Sequence, residues 1–222
     1  CDLILSTGMA TLGEIEAALG VIAFGYIAQV DVQPSIEAFQ AAYLSESGRK
    51  ALKQKVTLLH CTTEYPTPLI DINLSAMSTL GSAFSLSVGY SDHSEGIVVP
   101  IAAVARGAAV IEKHFTLDKT LEGPDHKASL DPSELKAMVE AVRAVELAIG
   151  DGIKGPRPSE LKNKTAARKS LVAARDINVG HVISSDDIAT KRPGNGQSPY
   201  EFWSVQSRRS SKSYKEGELI FE

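Results

Sequence analysis

Apolar positions along the chain fall into two kinds of stretch. Short runs rich in aliphatic and β-branched residues, at 3–6, 56–61, 87–93 and 109–115, lack helical spacing and read as strands. Longer stretches place apolar residues three and four apart. The first has Ile15, Ala18, Leu19 and Ile22, with Thr11 as N-cap and Glu14 three residues on, a capping-box pattern. Further helices are expected at 35–43, 48–55, 71–84, 95–106 and 131–149. The last opens on Asp131-Pro132-Ser133-Glu134, an acidic cap followed by proline, and carries the stripe Leu135, Met138, Val139, Val142, Val145, Ile149 before Gly150. The connection 24–54, with two of these helices, reads as an insertion that packs on the helical side of a sheet. Two prolines within Glu64-Tyr65-Pro66-Thr67-Pro68 forbid a helix and hold a stiff loop, which suits a binding wall or an ordinary connector equally.

Four strand–helix units in succession imply an α/β fold with a parallel sheet. They amount to half of a (β/α)₈ TIM barrel, a fold that takes about 250 residues by itself. The expected organisation is therefore the C-terminal part of such a barrel over 1–150, then a linker rich in Gly, Pro, Lys and Ser over 151–168. Residues 169–222 follow a different rhythm: a strand at 170–173, a turn at 176–180, a capped turn at 184–188, a Gly-rich loop ending at 196, and a strand-like stretch at 218–221. They imply a small, loop-rich, mixed α+β second domain.

Candidate chemistry sits at two strand ends. Ser91-Asp92-His93 closes the third run and Glu112-Lys113-His114 the fourth. A right-handed βαβ unit makes two such strands parallel and neighbouring, about 4.8 Å apart. His93 and His114 are then placed to put two imidazoles on one metal ion. Each histidine alone reads first as a hydrogen-bonded core or loop residue; the pairing, with Asp92 and Glu112 beside them, brings the metal reading level with that one. Strand alternation puts Ser91, His93, Glu112 and His114 on one face, and Asp92 and Lys113 on the other. His60, His126 and His181 read as structural, and Lys127 and Lys191 as solvated charges.

The chain has 222 residues, 43% of them hydrophobic, enough for a sizeable core. A net charge of -4 argues against general nucleic-acid binding. No apolar stretch approaches the roughly 20 residues of a membrane span, so no membrane partner is expected. Cys1 and Cys61 show neither metal nor disulfide spacing and fit a cytoplasmic location.

Taken together the motifs resemble the sialic acid synthase (N-acetylneuraminate synthase) family. The resemblance rests on Ser6-Thr7-Gly8-Met9, His60-Cys61-Thr62-Thr63-Glu64-Tyr65-Pro66-Thr67-Pro68, Gly89-Tyr90-Ser91-Asp92-His93 and Ile111-Glu112-Lys113-His114-Phe115-Thr116. Gly123-Pro124-Asp125-His126-Lys127-Ala128-Ser129 and Lys191-Arg192-Pro193-Gly194-Asn195-Gly196 complete it, and residues from Ser170 on resemble that family's antifreeze-like (SAF) domain. The resemblance implies condensation of phosphoenolpyruvate with an open-chain N-acyl hexosamine, N-acetylmannosamine in the first instance, to a nonulosonic acid and phosphate. It implies a divalent metal, Mn²⁺ or Mg²⁺, on His93 and His114, with Glu112 and Tyr65 as catalytic residues. Ser6, Thr63 and Ser91 match contacts to phosphoenolpyruvate, with Thr63 standing where relatives often carry Asn. Tyr65 and Asp125 match sugar contacts, and Arg192 matches an arginine that the SAF domain sends to the N-acyl group. At Ala166 some relatives carry an aromatic contact. The resemblance further implies a domain-swapped homodimer, each SAF domain covering the partner's barrel mouth.

The first strand starts at once, which leads us to expect the C-terminal part of a longer protein. The family's phosphoenolpyruvate-binding lysines and acid/base glutamate precede the equivalent of Cys1, so these 222 residues alone are expected to be inactive. They are also expected to expose two sheet edges and an apolar inner face. A legionaminic or pseudaminic acid synthase acting on a diacetamido hexose would use the same chemistry. A carbohydrate- or ice-binding module is the alternative of another class, opposed by the charges Lys191, Arg192, Arg208, Arg209 and Lys212 in the tail. An aldolase-like barrel with another acceptor is a third.

Overall fold

The structure is a computed structural model that describes residues 1–28, 31–123 and 125–222. Pro124 of the Gly-Pro-Asp-His motif and residues 29 and 30 of the 24–54 connection lie outside the described residues. The chain divides into two compact units, Cys1–Gly152 and Ile153–Glu222.

In the first unit, strands β1 (Leu3–Ser6), β2 (Val56–Cys61), β3 (Ser87–Asp92) and β4 (Ile111–Lys113) form one parallel sheet in the order of the sequence. Helices α1 (Leu12–Ile27), α2 (Ile36–Leu44) and α3 (Glu46–Lys55) join β1 to β2. Helix α4 (Ser75–Phe84) joins β2 to β3, α5 (Val98–Ala105) joins β3 to β4, and α6 (Pro132–Ile149) follows β4. Four parallel strands in sequence order, each crossing back through helices, make the curled half-barrel expected from the sequence. Its edges are β1 and β4.

Period-two alternation sorts the strands' side chains. Val56, Leu58, Val88 and Tyr90 face the helices and pack with Ile15, Leu19, Ala23, Met77, Leu80, Val99 and Ala103. Burying each of the Val, Leu, Ile and Met side chains among them is worth about 1.5–3 kcal/mol. Ala42 and Leu52, from the expected insertion, join the same core. On the other face the strands approach closely at Gly89. A Cβ there would lie 2.5 Å from the carbonyl oxygen of Val110 and 2.6 Å from Leu59 Cδ2, so no larger residue fits. Ile4 on this inner face is 59% exposed.

Helix starts are where sequence and structure part. The Thr11 and Asp131 capping boxes form as expected. The helix anticipated from residue 71 begins at Ser75, because residues 69–71 make a 3₁₀ turn and Asn73 is left-handed, φ 49°. The one anticipated from residue 95 begins at Val98, after Gly96 at φ 76°. Of the apolar stripe on α6 only Met138 is buried; Val139 and Ile149 face solvent.

In the second unit the expected linker holds two helical turns, α7 (Pro158–Leu161) and α8 (Lys164–Ala167). Strand β5 (Ser170–Ala173) pairs antiparallel with β6 (Ile188–Lys191), a stretch whose sequence reads as the approach to a loop. Helix α9 (Phe202–Val205) follows. Leu171, Ala173, Ile177, Ile183, Ile188, Val205, Tyr214 and Ile220 close a separate core. Residues 218–221 make no full strand, but Leu219 bridges to Val172. Among the described residues no helix is long and apolar enough to cross a membrane.

Candidate metal and substrate site

Register fixes the site. Ser91 lies opposite Glu112 and Asp92 opposite Lys113, so successive residues point to opposite faces in step on both strands. On the inner face the Ser91 hydroxyl donates to Glu112 Oε1 at 2.6 Å. The rings of His93 and His114 stand 5.3 Å apart, centre to centre, nearly edge to face. Tyr65 reaches over both, 4.2 Å from the His93 ring and 5.6 Å from that of His114. The stiff 62–68 loop is therefore a wall of the site. It is pinned there by Thr67, whose N–H donates to the His93 carbonyl at 2.9 Å and whose hydroxyl donates to the Glu64 carbonyl at 2.7 Å.

His93 is buried and its protonation pattern follows from its partner. Nδ1 lies 2.7 Å from the Thr62 carbonyl oxygen, which can only accept, so the proton sits on Nδ1. In the neutral ring Nε2 then carries the lone pair, with the Ser91 hydroxyl oxygen 3.4 Å away. A backbone carbonyl behind the ring is the arrangement that orients a metal-binding histidine. His114 is partly open to solvent, with Asp125 Oδ2 at 3.8 Å from its Nδ1. Among the described residues no cluster of three or more His, Cys, Asp or Glu side chains is gathered closely enough to hold a metal. Among the described residues the site thus brings two imidazoles together without completing a set of protein ligands around a cation.

Burial raises the Tyr65 phenol's pKa above its ordinary value, and the nearby Asp125, Cys61 and Glu112 raise it further. Tyr65 stays a hydrogen-bond donor at neutral pH. Cys61 also lies above its ordinary value: burial dominates and Glu112 adds to it. The Thr7 and Gly8 N–H groups and the Ser6 hydroxyl pull the other way.

The structure brings Tyr65, Ser91, His93, Glu112, His114 and Asp125 together. Ser6 and Thr63 gather at the neighbouring ends of β1 and β2, beside Cys61. A Cβ added at Gly8 would meet Thr63 Oγ1 at 2.6 Å and Cys61 Sγ at 3.2 Å. Arg192 belongs to the second unit, where its Nε donates to the Ala167 carbonyl at 2.9 Å. A cleft of about 660 Å³ lies on the flank between α1 and α4 and is lined by Thr11, His60, Thr63 and Thr79, not by the imidazole pair. A half-barrel leaves its strand ends open, so volume is a poor guide to chemistry here.

Sequence reasoning missed three participants. Thr62 acts through its carbonyl, which no side-chain pattern reveals. Thr67 and Cys61 sit inside the motif, and alternation along β2 would have put Cys61 on the inner face. The cation pairing of Asp92 was also missed: Lys113 Nζ donates to its Oδ2 at 2.7 Å on the helix side of the sheet.

The NeuB family profile matches residues 1–154 and the SAF domain profile residues 168–222. An N,N'-diacetyllegionaminic acid synthase of Campylobacter jejuni subsp. jejuni is 50% identical over 220 residues, covering 99% of this chain and 59% of its own length. A pseudaminic acid synthase of the same organism is 44% identical over 165 residues, 74% of this chain and 48% of its own. Among solved structures, the N-acetylneuraminic acid (sialic acid) synthetase of Leptospira borgpetersenii, in complex with citrate, superposes with a TM-score of 0.54. It is 36% identical, over 73% of this chain and 47% of that one. The chain thus spans well under two thirds of the length of the relatives it matches.

Proposed function

We propose, from the premise that this chain belongs to the NeuB family and carries a SAF domain, that it forms part of a nonulosonic acid synthase. The enzyme is a transferase that joins phosphoenolpyruvate to an N-acyl hexosamine. The observation that carries this reading is the facing pair of imidazoles at the ends of adjacent parallel strands, with Tyr65 against both.

In the reaction, the vinyl carbon of phosphoenolpyruvate bonds to the sugar's aldehyde carbon, whose oxygen gains a proton. Water adds to the carbon bearing the phosphate ester, and the C–O bond to phosphate breaks. Ser6 and Thr63 supply hydroxyl donors for the anionic substrate, and Ser91 joins them when its single hydroxyl hydrogen turns from Glu112. The protonated Tyr65 donates to the oxygen on which negative charge develops. Glu112, already accepting from Ser91, is the base on that face. Asp125 binds sugar hydroxyls through charge-assisted hydrogen bonds. A divalent cation, Mn²⁺ or Mg²⁺, held by His93 and His114, would supply Lewis-acid polarisation of the carbonyl.

The acceptor is N-acetylmannosamine in the first reading. A diacetamido hexose is the second, supported by the 50% identity to a legionaminic acid synthase. We further propose a cytoplasmic enzyme working as a domain-swapped homodimer, in which Arg192 of one protomer reaches the N-acyl group in its partner's barrel. The apolar rim of Leu69, Ile70 and Leu117 around the strand ends, all strongly exposed, supports a cover of this kind.

The test is an assay of phosphate release and acid product with each sugar, using the natural polypeptide, with and without Mn²⁺. Metal-dependent turnover is expected, falling at least about 100-fold in His114→Ala. The 222-residue chain by itself is expected to give none. Wild-type rates from His114→Ala would overturn the metal reading, and turnover by the 222-residue chain alone would overturn the expectation that it is inactive.

A further inference from the structure

The residues between the site residues form a network of their own on the reverse of the sheet. Asp92 is fully buried, and the side chain of Lys113 is 3% exposed. Asp92 Oδ2 accepts from Lys113 Nζ at 2.7 Å. Its Oδ1 accepts from the Ser94 N–H at 3.0 Å, the Ser94 hydroxyl at 2.8 Å and the Tyr90 hydroxyl at 3.2 Å. Lys113 Nζ also donates to the Ser94 carbonyl. Among the described residues no buried side-chain polar atom lacks a partner, so every polar side-chain atom of this network is engaged.

Its position matters more than its strength. Asp92 lies between Ser91 and His93, and Lys113 between Glu112 and His114. The two strands end here: the last paired residues are Asp92 and Lys113 themselves, so no backbone ladder holds His93 against His114. The bonds from Ser94 to Asp92 bend the chain just after His93, and Lys113 ties that bend to β4. We propose that Asp92 and Lys113 are positioning residues. Their ion pair, clasping the Ser94 turn from the helix side, sets the spacing and orientation of His93 and His114 on the opposite face. The inference deepens the metal-site reading and rests on it for its consequence, the affinity for the cation, but its geometric content stands without a metal.

The structural alternative is that the pair only stabilises the fold. Replacing both members by apolar side chains separates the two, because a buried pair exchanged for packed apolar residues often leaves stability unchanged or raised. The experiment uses the doubly substituted Asp92→Leu/Lys113→Met form of the natural polypeptide, with Ser94→Ala as a milder variant that removes one hydroxyl donor. Imidazole ¹⁵N NMR of the metal-free protein is expected to show His93 as one tautomer, protonated on Nδ1, in the wild type. In the double variant it is expected to show an averaged signal while circular dichroism stays near wild type; the melting temperature falls, because the Ser94 and Tyr90 donors lose their acceptor. Titration with Mn²⁺ is expected to show about 10- to 100-fold weaker binding in the double variant, and a smaller loss, about threefold, in Ser94→Ala.

A folded double variant that keeps the single His93 tautomer and wild-type Mn²⁺ affinity overturns the proposal. Should the double variant not fold, unchanged tautomer and affinity in Ser94→Ala overturn it. A wild type that binds no Mn²⁺ counts against the metal reading alone, since the NMR comparison still decides whether the clasp positions the ring.

Discussion

Two carboxylates are buried among the described residues, Asp92 in the half-barrel and Asp187 in the SAF unit, and they are held in opposite ways. Asp92 takes its cation from a different strand, 21 residues on, and that cation is itself buried. Asp187 takes its donors from the 12 residues that precede it. Arg175 Nε lies at 2.6 Å and His181 Nε2 at 2.9 Å, while the Ser184 N–H and hydroxyl both donate at 2.8 Å. Arg175 and His181 are 60% and 42% exposed. The first carboxylate joins elements far apart in the chain through a pair sealed from water. The second caps a local turn with partners that water can replace. Removing a partner should therefore be costly in the half-barrel and cheap in the SAF unit.

The largest effect is expected from Lys113→Met. Asp92 would then keep a charge at zero exposure with no counter-charge, and breaking a buried pair from one side costs about 3–5 kcal/mol. Calorimetric melting should show that loss, and hydrogen exchange should quicken in the peptides of β3 and β4 while β5 and β6 stay protected. A loss below about 1 kcal/mol would mean that water reaches Asp92 and that the two carboxylates do not differ as argued.

The second comparison is with pH. Burial pushes the Asp187 carboxyl up, but the Ser184 N–H, Arg175, His181 and the Ser184 hydroxyl together outweigh it. The net pKa lies well below the ordinary 3.8. A carboxylate depressed in the folded state contributes stability that is fully present above its unfolded pKa and is lost as pH falls toward the folded one. The SAF unit should thus hold its stability down to about pH 4 and lose it progressively below. Amide exchange in β5 and β6, followed from pH 5 to pH 2.5, should show this in the wild type and a flatter profile in Asp187→Asn. Equal slopes in the two would remove Asp187 from the account.

How far such contrasts are legible without coordinates depends on which residues carry them. Alternation alone placed Ser91, His93, Glu112 and His114 on one face and sent Asp92 and Lys113 to the other. Short parallel strands leave few ways to arrange six neighbouring residues. The capped turn ending in Asp187 was legible for the same reason: Ser184 and Asp187 are three apart, and a local hydrogen bond needs only local sequence. That Asp92 and Lys113 find each other was not legible, since it depends on a one-residue register between strands separated by a helix. Nor was the late start of α4, where left-handed Asn73 overrides an unbroken helical pattern. The imidazole tautomer of His93 was beyond reach because it hangs on a carbonyl, and every residue has one. Strand β6 was hidden because Ile188–Lys191 alternates too briefly beside the Gly-rich loop to stand out.

The smallest effect is expected from Arg175→Ala, and it is the sharper half of the contrast with Lys113→Met. Both changes remove the side chain closest to a buried carboxylate. In the SAF unit, however, the side chain removed is mostly in water already, and exposed ion pairs contribute little. Three further donors remain on Asp187, from His181 and from the Ser184 N–H and hydroxyl, so its charge is still satisfied. A thermal melt of Arg175→Ala should fall by no more than a few degrees, and less in high salt, where the wild-type pair is itself screened. A fall as large as that of Lys113→Met, insensitive to salt, would show that the arginine is held as tightly as the lysine. The division between a sealed pair and a solvated one would then collapse.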